Sequence, residues 1–181
     1  MRQSKVISVF GSSKAIVGSE AYEEARLLGK LLAEARFVVM NGGYGGTMEA
    51  VSRGAKENGG HVIGITVSLF DSRRLSANAW LDQEIKKPDY WSRLRHLTQE
   101  SDGYIALQGS IGTLTEVSLT WALLQVEGIS RRPLILVGGH WQRTLRVLVR
   151  ELSVSEQDLG LLHVVSSPEE AVQVLTEKLS R

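Results

Sequence analysis

The sequence contains no cysteine, has almost no net charge and lacks long apolar runs. Without cysteine there can be no disulfide framework and no thiolate metal site. Lys and Arg number 21 and Asp and Glu number 20, so no long-range field would attract nucleic acid or an anionic membrane. The first fifteen residues, MRQSKVISVFGSSKA, hold an apolar run too short for a signal peptide or a membrane span. We therefore expect a cytoplasmic protein whose partners include neither nucleic acid nor membranes.

The length and composition indicate one folding unit. The chain has 181 residues, of which 43% are hydrophobic, enough for one full core and too few for two. No internal repeat or low-complexity segment interrupts it. We predict a single domain over residues 1–181.

Short apolar runs rich in β-branched residues alternate with longer stretches of helical period. A sixth, weaker run at His163–Val165 precedes a helix with Ser167 as its cap and Pro168 at its first position. This order predicts an α/β fold, a doubly wound and mostly parallel sheet with helices on both faces. The stronger strands are predicted at Lys5–Phe10, Phe37–Asn41, His61–Val67, Tyr104–Gln108 and Pro133–Gly138, and the longer helices at Glu20–Ala35, Met48–Gly60 and Thr115–Gly128.

One segment, Ser68–Asp89, has no clear period. It is longer than the usual connection in a compact α/β unit. A lid over a site is one interpretation, and a mobile surface excursion or an oligomer contact is the other.

Glycine turns follow three of the predicted strands, in FGSSKA, NGGYGGTMEA and QGSIGTLTE. In a doubly wound sheet, ligands bind beyond the carboxyl ends of the strands, where free N–H groups of the following helices suit a phosphate. The turns match neither a dinucleotide G-x-G-x-x-G motif nor a P-loop, which argues against hydride transfer and kinase chemistry. The four histidines, His61, His96, His140 and His163, are scattered, so no metal site is predicted.

Glu116 has two interpretations at this stage. With Thr113 it forms T-x-x-E, the spacing of a capping box, in which the threonine caps a helix and the glutamate reaches back to the backbone. A carboxylate beside an anion-binding turn would, however, repel the phosphate that the turn is suited to bind. The alternative is that Glu116 acts on the bound molecule.

Together these motifs resemble the LOG ("Lonely Guy") family, long labelled lysine decarboxylase-like, which implies a single Rossmann-like nucleotide-binding domain. The family pattern is a Gly-Ser-Ser-type turn, GGxxGxM, an arginine on a helix and PGGxGTxxE, and it corresponds here to FGSS, GGYGGTM, Arg93 in YWSRLRHL, and QGSIGTLTE. The resemblance implies hydrolysis of the N-glycosidic bond of a purine, cytokinin-type nucleoside 5′-monophosphate, which releases free base and ribose 5-phosphate. It implies Arg93 and Glu116 as catalytic residues. It also implies that phosphate or nucleotide is held by Gly11, Ser12, Gly42, Gly43, Gly45, Gly46, Met48, Gly109, Ser110, Gly112 and Thr113.

The chemistry agrees with these positions. A fixed carboxylate at Glu116 stabilises an oxocarbenium-like state while activating the attacking water, as glycosidase carboxylates do. The guanidinium of Arg93 would hold Glu116 or the sugar through its planar donors. The alternative for Arg93 is a solvated helix arginine near Arg95.

Departures from the family pattern leave a rival function open. The PGG turn is Gln108-Gly109-Ser110 here, and the residues before Arg93 are Tyr90-Trp91-Ser92 instead of Met-His-Glu. GGYGGxMEA is typical of a branch that includes molybdenum cofactor carrier-like proteins, which bind a phosphorylated pterin without turning it over. The alternative is therefore a non-catalytic binding or carrier protein for a nucleotide or the molybdenum cofactor.

The resemblance also carries expectations about cofactors and assembly. No cofactor is expected, because neither Lys5 nor Lys14 lies in a context that suggests the pyridoxal phosphate of a true lysine decarboxylase. The ligand is expected to be a small AMP-like nucleotide or a phosphorylated pterin. Members of the family are dimers, and the helix with Trp121 has more apolar surface than its own core needs, so a homodimer, or a tetramer built from it, is expected.

Overall fold

Seven parallel strands form one sheet in the computed structural model, which describes residues 4–73 and 75–180. Within that part of the chain the strand order is β4-β3-β2-β1-β5-β6-β7, so β1 lies at the centre. The doubly wound, Rossmann-like class predicted from the sequence is confirmed. The strands are β1 Val6–Phe10, β2 Val38–Asn41, β3 Val62–Val67, β4 Gln83–Lys87, β5 Gly103–Ala106, β6 Leu134–Val137 and β7 Leu162–Val165.

Helices cover both faces of the sheet. Apolar side chains of α1, α2 and α7 form one core cluster with the sheet, and those of α3, α4 and α5 form the other. The helices are α1 Glu20–Glu34, α2 Thr47–Glu57, α3 Tyr90–Gln99, α4 Ile111–Gln125, α5 Gly139–Glu151, α6 Glu156–Leu159 and α7 Pro168–Leu179, and Ser68–Arg73 forms a 3₁₀ helix.

Side-chain caps set where several helices begin. The Ser167 hydroxyl accepts from the Glu170 N–H, and Pro168 opens α7, as the sequence predicts. The carboxylate of Asp89 accepts from the Ser92 N–H at 2.8 Å and so begins α3, the helix that carries the predicted catalytic arginine.

The prediction of an irregular segment over Ser68–Asp89 is wrong in part. Gln83–Lys87, QEIKK, is a strand that pairs in parallel with β3. It lies at the edge of the sheet and is mostly exposed, so it needs only one apolar residue and its charged side chains protect the edge. A strand of that composition contains no apolar run, so the sequence does not indicate it. Arg74, within the same predicted segment, lies outside the described residues.

The strand order creates a switch point between β1 and β5. From β1 the chain proceeds through β2, β3 and β4 on one side, and then crosses to β5 on the other side. Loops leaving the carboxyl ends of β1 and β5 therefore diverge, and the crevice between them is where doubly wound proteins bind ligands. No helix in residues 4–73 and 75–180 has the length and apolar character to cross a bilayer.

Candidate functional site

The turns after β1 and β2 pack directly against each other. Gly46, the residue before α2, has φ +71°, and a Cβ there would collide with the Ser12 carbonyl oxygen. That carbonyl accepts from the Thr47 N–H at 2.8 Å, so the β1 turn satisfies a donor at the start of α2. Gly11 lies against the side chain of Thr47 in the same contact. The first two predicted turns thus form one unit at the carboxyl edge of the sheet.

Asn41, the last residue of β2, fixes the shape of the second turn. Its amide oxygen accepts from the Gly43 N–H at 2.8 Å, and its amide nitrogen donates to the Ser52 hydroxyl at 2.9 Å. The side chain is fully buried. Sequence reasoning did not single out Asn41, although it stands at a strand end directly before the glycines.

Arg93 is buried beside the second turn and held in place by several groups. Only 5% of its surface is exposed, so the alternative of a solvated helix arginine is wrong. Its Nε donates to the Ile65 carbonyl of β3 at 2.8 Å. A Cβ at Gly42 would collide with the guanidinium, so the glycine leaves the room that Arg93 occupies. The rings of Tyr44 and Tyr90 each have their centroid 6.0 Å from the guanidinium carbon, within the range of cation–π attraction.

Glu116 lies in the second turn of α4 and faces this guanidinium. Its Oε1 is 3.6 Å from Arg93 Nη1, and 8% of the residue is exposed. Burial raises the pKa of the Glu116 carboxyl to about 7, and the charge of Arg93 opposes that rise only in part. Among the described residues, none donates a hydrogen bond to this carboxyl. Glu116 is therefore a carboxylate with free acceptor capacity that titrates near neutral pH.

The capping-box interpretation of Thr113 and Glu116 is wrong. The helix begins at Ile111 with Ser110 as its N-cap, so Thr113 is the third helical residue and not the cap. Glu116 is too far into the helix to reach the cap backbone. Thr113 is instead 2% exposed and lies against Gly109, and its hydroxyl has no hydrogen-bond partner in the part of the chain that the structure describes. A buried hydroxyl without a hydrogen-bond partner destabilises the fold, and a ligand that accepts from Thr113 at the start of α4 would remove that cost.

The predicted residues form two groups at the same edge of the sheet. Gly42, Met48 and Arg93 are in contact, and the Arg93–Glu116 pair joins them to α4. Gly43 and Gly45 lie within the β2 turn, whereas Ser110 and Gly112 lie at the start of α4. That these residues hold a ligand stays a prediction. The tyrosines beside Arg93 were missed, although Tyr90 precedes Arg93 by one helical turn.

Other features of the surface lie away from this site. A cavity of about 440 Å³ lies between α3 and α4 and is lined by Trp91, Arg95 and Leu123 among others. A second cavity, of about 520 Å³, lies near α6 and is lined by Glu127 and Gln157 among others. Neither cavity is lined by the predicted site residues. Within the described ranges, no cluster of three His, Asp or Glu residues is arranged to hold a metal ion.

Comparisons with known proteins identify the family. The profile of the SLOG cluster4 family matches residues 4–172. The chain is 31% identical over 134 residues to an uncharacterized protein of Archaeoglobus fulgidus, covering 74% of this chain and 83% of the relative. It is 30% identical over 187 residues to the cytokinin riboside 5′-monophosphate phosphoribohydrolase LOG3 of Arabidopsis thaliana, covering 98% of this chain and 85% of that enzyme.

Other relatives are longer than this chain, and a solved structure shares its fold. The chain spans only 56% to 66% of the length of several further plant phosphoribohydrolases that it matches. The molybdenum cofactor binding protein of Rippkaea orientalis superposes with a TM-score of 0.78 over 99% of both chains at 24% identity. At that identity the likeness supports the fold alone. From the profile and the plant relatives, the chain belongs to the SLOG cluster4 family and to the wider LOG family.

Proposed function

We propose that this protein hydrolyses the N-glycosidic bond of a purine nucleoside 5′-monophosphate and releases the free base and ribose 5-phosphate. The observation that carries the proposal is the state of Glu116. It is buried, its pKa is raised to about 7, and it has free acceptor capacity beside a fixed guanidinium at the switch point of the sheet. A carboxylate in that state is suited to take a proton from water near neutral pH.

Each of the two predicted catalytic residues then has a role in the reaction. Glu116 activates the attacking water and stabilises the positive charge that develops on the ribose as the bond to the base breaks. Arg93, with its orientation set by the Ile65 carbonyl, keeps Glu116 in place and offers its remaining donors to the sugar. Because burial favours the neutral acid, the nearby positive charge is needed to keep a fraction of Glu116 ionised at neutral pH.

The 5′-phosphate is proposed to bind at the start of α4. The first N–H groups of a helix have no partner within it and carry partial positive charge, and Ser110 provides no side-chain cap. The unpartnered Thr113 hydroxyl adds a donor at the same place. Phosphate oxygens bound there would satisfy these groups together, and the sugar would then lie towards Glu116, one helical turn further on.

The LOG relatives support this reaction class, and their length limits what they imply. LOG3, which is named as a cytokinin riboside 5′-monophosphate phosphoribohydrolase, aligns with 98% of this chain. Identity to these relatives is near 30%, and the chain covers only part of the longer ones. The residues preceding Arg93 also differ from the family pattern, so the relatives do not determine which base is released. We propose a purine because these relatives are named for cytokinin riboside 5′-monophosphates, and the resemblance implies a purine nucleotide of cytokinin type.

A direct assay tests the proposal. Purified protein is incubated separately with AMP, GMP, IMP and isopentenyladenosine 5′-monophosphate, and free base is measured by chromatography. Release of base and of an equal amount of ribose 5-phosphate from at least one substrate is the expected result. If no nucleoside monophosphate is hydrolysed across pH 5–9, the proposed reaction is wrong.

The altered phosphate turn favours a second candidate, a binding protein for a phosphorylated pterin. Gln108, Gly109 and Ser110 are all exposed, and Ser110 adds a side chain where the family pattern has glycine. The fold is also that of a molybdenum cofactor binding protein. In this candidate the same turns hold the phosphate, and Glu116 does not meet a glycosidic bond. Mass spectrometry of small molecules released from the purified protein would detect a pterin if it is a carrier and none if it is only a hydrolase.

A further inference from the structure

Tyr90 lies beside the Arg93–Glu116 pair and has no role yet in the proposed reaction. It is the first residue of α3 and precedes Arg93 by three positions, so the two side chains share one face of the helix. Its ring centroid is 6.0 Å from the guanidinium carbon of Arg93. The Glu116 carboxylate faces the same guanidinium, with Oε1 3.6 Å from Nη1. Tyr44, the other aromatic neighbour, is different because its hydroxyl is already bonded to the Val67 backbone.

The Tyr90 hydroxyl is free to act on a ligand. Among the described residues it has no hydrogen-bond partner, and its side chain is only partly buried. Burial, and after it the negative charge of Glu116, raise the pKa of the phenol, so it stays protonated and can donate at neutral pH. Because the charge of Glu116 affects the pKa of Tyr90, the phenol lies within electrostatic reach of the carboxylate.

Departure of a purine from ribose needs a donor as well as a base. The electron pair of the breaking C1′–N bond moves onto the purine, which leaves more readily when one of its nitrogens receives a proton. Glu116 cannot supply that proton while it acts as the base for water. The guanidinium of Arg93 serves as a fixed positive charge and not as a proton donor to the base.

We propose that Tyr90 is the general acid of this site and protonates the departing base. This inference rests on the proposed hydrolase function. The water oxygen bonds to C1′, its proton passes to Glu116, the C1′–N bond breaks, and the base takes the phenolic proton of Tyr90. The proton on Glu116 then returns to the tyrosinate, directly or through water, so that nucleotide and water give base and ribose 5-phosphate.

The two proton transfers assist each other. When Glu116 accepts the proton of water, it loses the negative charge that helps to hold the proton on Tyr90. The phenol therefore becomes more acidic at the moment when the base departs. The family pattern has Met-His-Glu before the arginine, where this chain has Tyr90-Trp91-Ser92. A tyrosine as proton donor is therefore a feature of this chain and not of the family motif.

A pair of substrates with different leaving groups tests the assignment. AMP needs protonation of its base, whereas 4-nitrophenyl β-D-riboside 5-phosphate releases a stable phenolate that needs none. We expect Tyr90→Phe to lower kcat/KM for AMP by about 100-fold and to change it by less than about 3-fold for the nitrophenyl substrate. Trp91→Phe, at the adjacent and 76% exposed position, is the matched control and should leave both rates unchanged.

Each other outcome contradicts a distinct part of the account. Equal losses of Tyr90→Phe on both substrates, or no loss on AMP, would overturn the general-acid role and leave the hydrolase proposal intact. A wild-type protein that hydrolyses neither substrate would overturn the proposed function, and the role of Tyr90 with it. Thermal unfolding of both variants checks that the helix α3 remains folded.

Discussion

At the scale of single residues, Glu116 links the site to the stability of the fold. Its carboxyl keeps a proton up to about pH 7 in the folded chain, against an ordinary value of 4.5. Between these values the folded state binds more protons than the unfolded state, so the free energy of unfolding falls as pH rises through this range. The ionised carboxylate is thus present at a cost to stability, which is typical of functional groups.

This linkage gives a prediction for the pH dependence of stability. A rise of roughly 2.5 pH units corresponds to about 3 kcal/mol, an upper bound for a buried pair. Glu116→Gln cannot ionise, so its free energy of unfolding should exceed that of the wild type by about 1–3 kcal/mol at pH 8 and match it near pH 4.5. Denaturant titrations at several pH values measure this difference, and parallel profiles for the two proteins would contradict the raised pKa.

Gly42 is the residue on which the position of Arg93 depends most. An added methyl group would collide with the guanidinium and approach the Met48 sulfur to 2.6 Å. Overpacking of this kind costs about 1–3 kcal/mol, so Gly42→Ala should lower the free energy of unfolding by that amount and reduce AMP hydrolysis. Gly45→Ala, whose methyl group would meet only Glu49 at 3.9 Å, is the control for stability and should change it less. Equal stabilities of the two variants would show that Gly42 does not constrain Arg93.

At the scale of elements, apolar strands could be predicted from the sequence and polar ones could not. Central strands such as β1 and β6 are buried on both faces, so their composition alone identifies them. The edge strand β4 has one buried face at most, and its charged residues resemble a loop. The start of α4 was placed too late, because T-x-x-E fits a capping box and nothing local indicates that Ser110 is the cap.

The candidate site was predictable only where its residues are close in sequence. The glycine turns and the placement of Glu116 beside them follow from the order of strands and helices. The environment of Arg93 does not, because the Ile65 carbonyl that fixes it is 28 residues away and belongs to another strand. Burial of Glu116, which sets its pKa, likewise depends on how α3 packs against α4 and β3.

The start of α4 gives a prediction about phosphate binding. Thr113→Val replaces an unpartnered buried hydroxyl with a methyl group of similar size, so the free protein should be as stable as the wild type or more stable. Affinity for AMP should fall by about 10-fold, because a donor to a charged oxygen is lost. Thermal unfolding of the free protein measures the stability, and calorimetric titrations with AMP and adenosine measure the affinities. The nucleoside should bind far more weakly than AMP.

Thr115→Val is the matched control for that titration. The Thr115 hydroxyl donates within the helix to the Ile111 carbonyl at 2.8 Å and is not directed at the turn. Its replacement should leave AMP affinity unchanged. Equal affinity for adenosine and AMP, or an unaffected Thr113→Val variant, would remove the phosphate assignment.

At the scale of the whole molecule, we propose that two copies of the chain associate through α4. Trp121 donates its indole N–H to the Asp158 carbonyl at 2.8 Å and packs against its own core. Earlier in the same helix, Ile111 is 76% exposed and Leu114 is 37% exposed, so α4 leaves apolar surface uncovered. Apolar groups in that arrangement commonly form an interface.

Light scattering tests this assembly. We expect the mass of a homodimer, or of a tetramer built from it, at micromolar concentration. Leu114→Asp should shift the mass towards a monomer, whereas Val147→Asp, on the exposed side of α5, should not. A stable wild-type monomer would contradict the proposal.

Hydrolysis of AMP by the wild type and by Glu116→Gln tests the central claim most directly. The substitution keeps the shape of the side chain and removes its ability to accept a proton, so release of adenine should fall by at least about 100-fold while AMP still binds and the fold is retained. Glu34→Gln, at the exposed end of α1, is the control and should act at the wild-type rate. We expect only the Glu116 variant to be inactive, and a Glu116→Gln protein that releases adenine as fast as the wild type would show that Glu116 is not the catalytic base.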